Sequence, residues 1–138
     1  MNQVRIVIFA KAPLPGLAKT RLIPALGAQG AADLARRLLI HTLAQAVAAK
    51  VGPVELCVTP PPMEVLWQAP TVPASVAWSE QGEGDLGARL ARATQRVTCS
   101  GESILLVGTD CPTLDAAKLC CAAKSLQHVD ATLVPTFD

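Results

Sequence analysis

Residues 4–10 have the sequence VRIVIFA, and residues 11–22 continue with KAPLPGLAKTRL. The first stretch is almost continuously apolar and rich in β-branched residues, which is typical of a strand covered on both faces in a parallel sheet. Prolines and glycines over residues 11–27 predict a loop, with at most a short helical turn near Lys19. Because so long a connection is uncommon in a compact domain, it indicates a functional loop.

Outward from this stretch, the apolar pattern predicts alternating strands and helices. Apolar positions at helical spacing predict a helix over residues 28–50, which Gly52 and Pro53 end. The further predicted strands cover residues 54–59, 75–78, 103–109 and 131–135. The further predicted helices cover residues 63–68, 88–98 and 116–127. This order predicts an α/β fold, a three-layer αβα sandwich with a mostly parallel, Rossmann-like sheet.

Composition and charge exclude several classes of protein. Of 138 residues, 51 % are hydrophobic and 17 % charged, which excludes a disordered chain and predicts a single domain over residues 1–138. A net charge of +1 argues against a nucleic-acid partner. The five cysteines lack the spacing of a disulfide or zinc framework. No apolar stretch is long enough to span a membrane, so we expect a cytoplasmic protein.

Three loops follow the ends of predicted strands, at residues 11–22, 80–87 and 108–112. The carboxyl ends of parallel strands meet at one edge of a sheet, and ligands of such folds bind outside that edge. We therefore expect the three loops to lie together and to form a binding site.

The first loop carries three cations, Lys11, Lys19 and Arg21, within a segment that has no acidic residue. Lysine and arginine donate charge-assisted hydrogen bonds to phosphate oxygens, and the small residues Gly16 and Thr20 allow close approach. An alanine precedes Lys19 where a P-loop has glycine, and the prolines lack N–H donors, so side chains would hold the phosphate. The loop predicts a diphosphate site; the alternative is a solvated basic loop.

In the second loop, Gly82, Gly84 and Gly87 form a G-x-G-x-x-G pattern. Acidic residues inside the pattern, Asp85 among them, would repel a pyrophosphate, which argues against a dinucleotide site. We predict instead that Gln81, Gly82 and Asp85 bind the base or sugar of a nucleotide. The alternative is a glycine-rich turn in which Asp85 caps the next helix.

The third loop places Asp110 at the end of a predicted central strand. Mg²⁺ takes only one or two protein carboxylates in phosphate sites, so we predict that Asp110 holds a divalent cation. The alternative is that Asp110 caps the following helix. Cys111 has no histidine in its loop, and His41 and His128 have no metal-ligand partner at useful spacing, so we expect structural roles for all three.

Three motifs together carry a resemblance to a known family. They are FAKAPLPGLAKTRL at residues 9–22, QGEGDLGARL at residues 81–90 and LLVGTDCPTL at residues 105–114. In this order they resemble the bacterial radical-SAM/selenodomain-associated glycosyltransferase-like proteins of the nucleotide-diphospho-sugar transferase (GT-A) superfamily. The resemblance covers essentially the whole chain.

The resemblance implies a nucleotide bound at the N-terminal half of the sheet, with Mg²⁺ or Mn²⁺ on its diphosphate. By motif position, the implied phosphate contacts are Lys11, Lys19 and Arg21, and the implied nucleoside contacts are Gln81 and Asp85. Asp110 stands where the superfamily has the metal-binding aspartate of its D-x-D element. Here the local sequence is Thr-Asp-Cys, which supplies a single acid.

The resemblance implies a divalent-metal-dependent glycosyltransferase that binds a nucleotide-diphospho-sugar. One alternative is a nucleotidylyltransferase that uses an NTP, because guanylyltransferases of the same superfamily have similar N-terminal loops. A second alternative is a nucleotide-binding module without catalysis. Members of the resembled family continue beyond a fifth strand, so we expect a C-terminally short fold whose exposed sheet edge favours self-association as a dimer.

Overall fold

A four-stranded parallel sheet forms the centre of the computed structural model, which describes residues 3–62 and 72–135. Its strands are β1 (Val4–Lys11), β2 (Val54–Thr59), β3 (Ala77–Glu80) and β4 (Ser103–Val107). They lie in the order β3-β2-β1-β4, and every neighbouring pair is parallel. The chain moves outward from β1 to β3 and then crosses back to β4. The carboxyl ends of β1 and β4 therefore form a topological switch point, where ligands of open α/β sheets bind.

Helices cover both faces of this sheet. They are α1 (Ile23–Ala49), α2 (Leu86–Cys99) and α3 (Ala116–Ser125), and a 3-10 helix at Thr20–Leu22 precedes α1. Alternate residues of a strand point to opposite faces, so β1 contributes to two apolar clusters. Ile6 packs in one cluster with Leu43 of α1 and Leu119 of α3, and Val7 packs in the other with Val97 of α2. The predicted α/β fold is confirmed.

The long helix α1 changes direction near its start. Gly27 has φ 75° and ψ 165°, a non-helical conformation that separates one initial turn from the rest of α1. The regular part therefore begins where the sequence predicted a helix to begin, at residue 28. The initial turn and the 3-10 helix before it extend the first loop along the edge of the sheet.

Several predicted boundaries differ from the structure. β3 begins at Ala77 rather than residue 75, because a turn precedes it in which the Val76 N–H donates to Pro73 O at 3.0 Å. β4 ends at Val107, and α3 ends at Ser125, each two residues before its predicted end. The predicted helix at residues 63–68 lies outside the described residues.

The predicted fifth strand at residues 131–135 is wrong. These residues have no regular secondary structure, and Leu133 is 93 % exposed. A strand needs a neighbouring edge with which to exchange backbone hydrogen bonds, and no described residue pairs with this segment. Its apolar composition alone therefore gave a misleading prediction of burial.

Candidate functional site

A cavity of about 600 Å³ opens at the carboxyl ends of β1 and β4. Residues from all three predicted loops line it, so the expected convergence of these loops is confirmed. Predicted site residues in the lining are Lys11, Lys19, Thr20, Arg21, Gln81 and Asp110. Those outside the lining are Gly16, Gly82 and Asp85.

Two buried alanines hold the first loop against the core. Ala12 is 0 % exposed and Ala18 is 3 % exposed, and the Ala18 N–H donates to Leu14 O at 3.1 Å. Gly16, with φ 81°, makes the turn between them. Lys19 follows in the left-handed conformation, φ 49° and ψ 47°, and caps the 3-10 helix. The loop thus folds back on itself and directs its cations to the rim of the cavity.

An ion pair joins the first loop to the third loop. Lys19 Nζ donates a hydrogen bond to Asp110 Oδ1. The Lys19 side chain is 15 % exposed, whereas that of Asp110 is 84 % exposed. Neither Lys11 nor Arg21 lies within salt-bridge distance of an acidic group in the part of the chain that the structure describes. Two of the three cations predicted to bind phosphate are therefore unpaired.

Gln81 forms part of the cavity wall and is 6 % exposed. Its Nε2 donates to Ala10 O and Cys57 O, both at 3.2 Å, and its Oε1 accepts from Arg89 Nη1 at 3.1 Å. The amide thus ties the ends of β1 and β2 to α2. Its contact with a nucleoside stays a prediction, and that contact would compete with these three hydrogen bonds.

Asp85 is the N-cap of α2. Its Oδ1 accepts from the Ala88 N–H at 2.8 Å, which satisfies one of the free donors in the first turn. The structure thus shows the capping role that the sequence left as the alternative for this residue. A nucleoside contact by Asp85 stays a prediction, although the side chain lies outside the cavity lining.

Two arginines of α2 that the sequence reasoning missed hold the second loop. Arg89 Nε donates to Gly84 O at 2.9 Å. Arg92 donates from Nη1 to Gln81 O at 2.6 Å and from Nη2 to Glu83 O at 2.9 Å. Residues three apart lie on one side of a helix, so the spacing of the two arginines was a signal that both face the loop.

The third loop is held from α1 and leaves Asp110 exposed. His41 Nε2 lies 2.9 Å from Pro112 O, and Gln45 Oε1 accepts from the Ala116 N–H at 2.9 Å. The structural role predicted for His41 agrees with this contact. Asp115, rather than Asp110, is the N-cap of α3, so the alternative that Asp110 caps that helix is wrong.

The donor set of the cavity restricts the kind of metal site it can form. No three His, Cys, Asp or Glu side chains come together as metal ligands within residues 3–62 and 72–135. Asp110 is the one acidic side chain among the described residues that line the cavity. A single carboxylate fits Mg²⁺ or Mn²⁺ whose other ligands are phosphate oxygens and water. These residues therefore fit a cation bound together with a diphosphate better than a cation held by the protein alone, for which Asp110 would be the single carboxylate ligand.

An ion cluster around the buried Glu55 lies on the α2 side of the sheet. Glu55 of β2 is 3 % exposed and accepts from Ser79 Oγ at 2.6 Å and from Arg96 at 3.0 and 2.5 Å. Burial raises the pKa of Glu55, but the hydrogen bonds from Arg96 and Ser79 and the charges of Arg96 and Arg5 outweigh it, so the pKa is lowered. Burial also raises the pKa of the neighbouring Cys57 thiol, which argues against a thiolate nucleophile there.

Comparisons with known proteins relate most of the chain to one family and its fold to a solved structure. The family model described as "Uncharacterized protein conserved in bacteria (DUF2064)" matches residues 42–138. A crystal structure from Desulfovibrio desulfuricans G20, described as a "putative nucleotide-diphospho-sugar transferase", matches with a TM-score of 0.82 and 29 % sequence identity. The match covers 93 % of this chain and 56 % of that one, so this chain spans about half the length of that structure.

Other comparisons add less. The search of curated proteins gives no match. The matches say nothing of radical-SAM proteins, and that part of the resemblance stays a prediction. Of the helices in the described part of the chain, none has both the length and the apolar character needed to cross a bilayer.

Proposed function

This chain belongs to the bacterial family DUF2064, and from its fold and its cavity we propose that it binds the diphosphate of a nucleotide-diphospho-sugar. One observation carries the proposal: Lys11 and Arg21, which have no acidic partner within the described part of the chain, line the same cavity as Lys19 at the switch point of the sheet. Cations without acidic partners, at the edge where such folds bind ligands, suit a polyanionic group. The solved structure that shares this fold supports the choice of ligand class.

The proposed reaction is transfer of the sugar to an acceptor, carried out by the complete fold. Lys11 and Arg21 would donate hydrogen bonds to phosphate oxygens and stabilise the charge that develops on the departing diphosphate. Asp110 would hold Mg²⁺ or Mn²⁺, which would further neutralise that charge. Gln81 would fix the wall of the cavity rather than take part in the chemistry.

Two other functions are compatible with the same cavity. A nucleotidylyltransferase would bind the triphosphate of an NTP with the same unpaired cations and would release pyrophosphate, whereas a glycosyltransferase releases an NDP. A nucleotide-binding module would bind ligand without turnover.

All five cysteines are free thiols, which supports a reducing compartment such as the cytoplasm.

Binding can be tested with a panel of NDP-sugars and NTPs, each with and without Mg²⁺ or Mn²⁺. A ligand that binds only the native state raises the melting temperature by mass action. Lys11→Met and Arg21→Met are each expected to weaken binding of the active ligand about tenfold, since each removes a hydrogen bond to a charged group. Arg37→Met, which removes an exposed cation of α1 outside the cavity lining, is the matched control.

The outcomes separate the candidate functions. A shift with NDP-sugars and release of NDP supports the glycosyltransferase, and a shift with NTPs and release of pyrophosphate supports the nucleotidylyltransferase. A shift without product supports the binding module. If no nucleotide shifts the melting temperature under any metal condition, the proposed diphosphate site is wrong.

A further inference from the structure

Lys19 and Asp110 neutralise each other across the rim of the cavity. One is a proposed phosphate ligand and the other is the proposed cation ligand. Asp110 carries one negative charge and Lys19 one positive charge, so each ligand would draw its side chain away from the present partner. The ion pair is therefore a competitor for both ligands.

The backbone segments that carry the two partners have contacts outside the pair. Lys19 follows the buried Ala18, its backbone carbonyl accepts from the Leu22 N–H at 2.9 Å, and its side chain is 15 % exposed. The loop that carries Asp110 is fixed from α1 by His41, which contacts Pro112 O at 2.9 Å. The pair thus connects two walls of the cavity, and each wall has backbone contacts of its own.

A divalent cation alone would take Asp110 and leave the ammonium of Lys19 beside a second positive charge. A diphosphate alone would attract Lys19 and leave the exposed carboxylate of Asp110 beside an anion. Each ligand alone therefore loses the ion pair and creates a repulsion. When both ligands bind together, the ion pair is lost once, and each freed side chain gains a partner of opposite charge.

The geometry points to Lys19 and Asp110 as an exchange pair, an ion pair in which Lys19 exchanges its partner for a diphosphate and Asp110 exchanges its partner for a cation. The pair favours binding of the cation–diphosphate complex over binding of the cation or the diphosphate alone, an inference that rests on the proposed function. Because the pair is broken once when both ligands bind, it couples binding of the cation to binding of the diphosphate. Such coupling is reciprocal, because the cation must raise diphosphate affinity by the same factor by which the diphosphate raises cation affinity. Lys19 is thus a specificity-determining residue that makes the site prefer the cation–diphosphate complex to the diphosphate alone.

The first test measures Mn²⁺ binding without any nucleotide, by the electron paramagnetic resonance signal of free Mn²⁺. Lys19→Met frees Asp110 and is expected to tighten Mn²⁺ binding about twofold to fivefold, the range of an ion pair with one exposed partner. Lys11→Met removes a cation of the same cavity that has no acidic partner and is the matched control. It is expected to change Mn²⁺ binding less than Lys19→Met does.

The second test measures binding of inorganic pyrophosphate in the presence of EDTA by calorimetry, with wild type, Asp110→Asn, Lys19→Met and the double variant. Asp110→Asn removes a repulsive charge in either background, but only in the wild-type background does it also free Lys19. We expect the gain in pyrophosphate affinity caused by Asp110→Asn to be about twofold to fivefold larger in the wild-type background than in the Lys19→Met background.

The exchange pair is ruled out by equal Mn²⁺ affinities of Lys19→Met and Lys11→Met, by equal effects of Asp110→Asn in the two backgrounds, or by absence of Mn²⁺ binding in every variant. Failure of the proposed function looks different. In that case no variant binds pyrophosphate or nucleotide with or without Mn²⁺. The Mn²⁺ affinities of Lys19→Met and Lys11→Met still test whether Lys19 and Asp110 form an exchange pair.

Discussion

Gly82 shows how one missing side chain shapes the second loop. Its φ is +78°, and a Cβ built there would lie 2.5 Å from Arg92 Nη1. The guanidinium of Arg92 already donates hydrogen bonds to the carbonyl oxygens of Gln81 and Glu83. A side chain at position 82 would therefore strain the backbone and displace the group that holds the loop.

Gly82→Ala is expected to lower the free energy of unfolding by more than the about 1–2 kcal/mol that a left-handed backbone costs a non-glycine residue. Gly101→Ala is the matched control, because Gly101 has φ +88° and open space where its Cβ would lie. Urea unfolding of both variants measures the difference. Equal losses would show that Arg92 moves aside at no cost.

At the scale of single residues, the sequence predicted which side chains lie near the site better than what they contact. Charge and position predicted that Lys19 and Asp110 would line one cavity, as they do. Their mutual ion pair was not predicted, because it depends on the path of two loops that are 91 residues apart in the chain. The contacts of Gln81 were missed for the same reason, since they join β1, β2 and α2.

Among the elements, α1 is the support of the third loop. Gln45 accepts the Ala116 N–H, one of the amides at the start of α3 that have no partner within that helix. The α1 side chain thus joins the two helices that cover one face of the sheet, close to the loop that presents Asp110.

Gln45→Ala is expected to lower the free energy of unfolding by about 0.5–1.5 kcal/mol, the usual net value of a hydrogen bond, and to speed hydrogen exchange of the Ala116 amide. Arg37→Ala on the exposed side of α1 is the control for helix propensity. Amide exchange followed by NMR checks the prediction. Unchanged exchange at Ala116 in Gln45→Ala would contradict it.

Element types were predicted well where burial and backbone pairing agree. β1 and β2 are buried and paired on both sides, so their apolar runs predicted them closely. The segment at residues 131–135 has a similar apolar composition but no described neighbour to pair with, and it is not a strand. Strand formation depends on a partner edge, which a local sequence pattern does not contain.

For the molecule as a whole, the Glu55 cluster links the sheet to α2. Glu55 of β2 contacts Arg96 of α2 and Ser79 of β3, and it lies 3.5 Å from Arg5 of β1. Arg5 in turn pairs with Glu102, which immediately precedes β4. One set of polar contacts therefore connects β1, β2, β3 and the residue before β4 with the helix α2.

The lowered pKa of Glu55 predicts an acid-sensitive fold. A carboxyl whose pKa is lower in the folded state adds stability above its unfolded pKa, and that stability is lost as the pH falls through the folded pKa. Glu55→Gln is expected to lower the free energy of unfolding by about 1–3 kcal/mol at neutral pH. The free energy of unfolding of this variant is expected to decrease less steeply than that of wild type as the pH is lowered.

Urea unfolding of Glu55→Gln between neutral pH and the acid limit of the fold tests this prediction. Glu80→Gln, at an exposed position of β3, is the control for loss of one negative charge. If wild type and Glu55→Gln lose stability with the same slope in acid, the cluster does not account for acid sensitivity.

The position of the cavity between β1 and β4 has a consequence for the order of events during synthesis. The loop at residues 11–22 leaves the ribosome before β4 does, and the central strand β1 gains its β4 neighbour only after residues 103–107 have emerged. Nascent chains that have not reached β4 therefore contain the cationic loop without the opposite wall. A ligand that needs both walls of the cavity can therefore bind only after β4 has paired with β1.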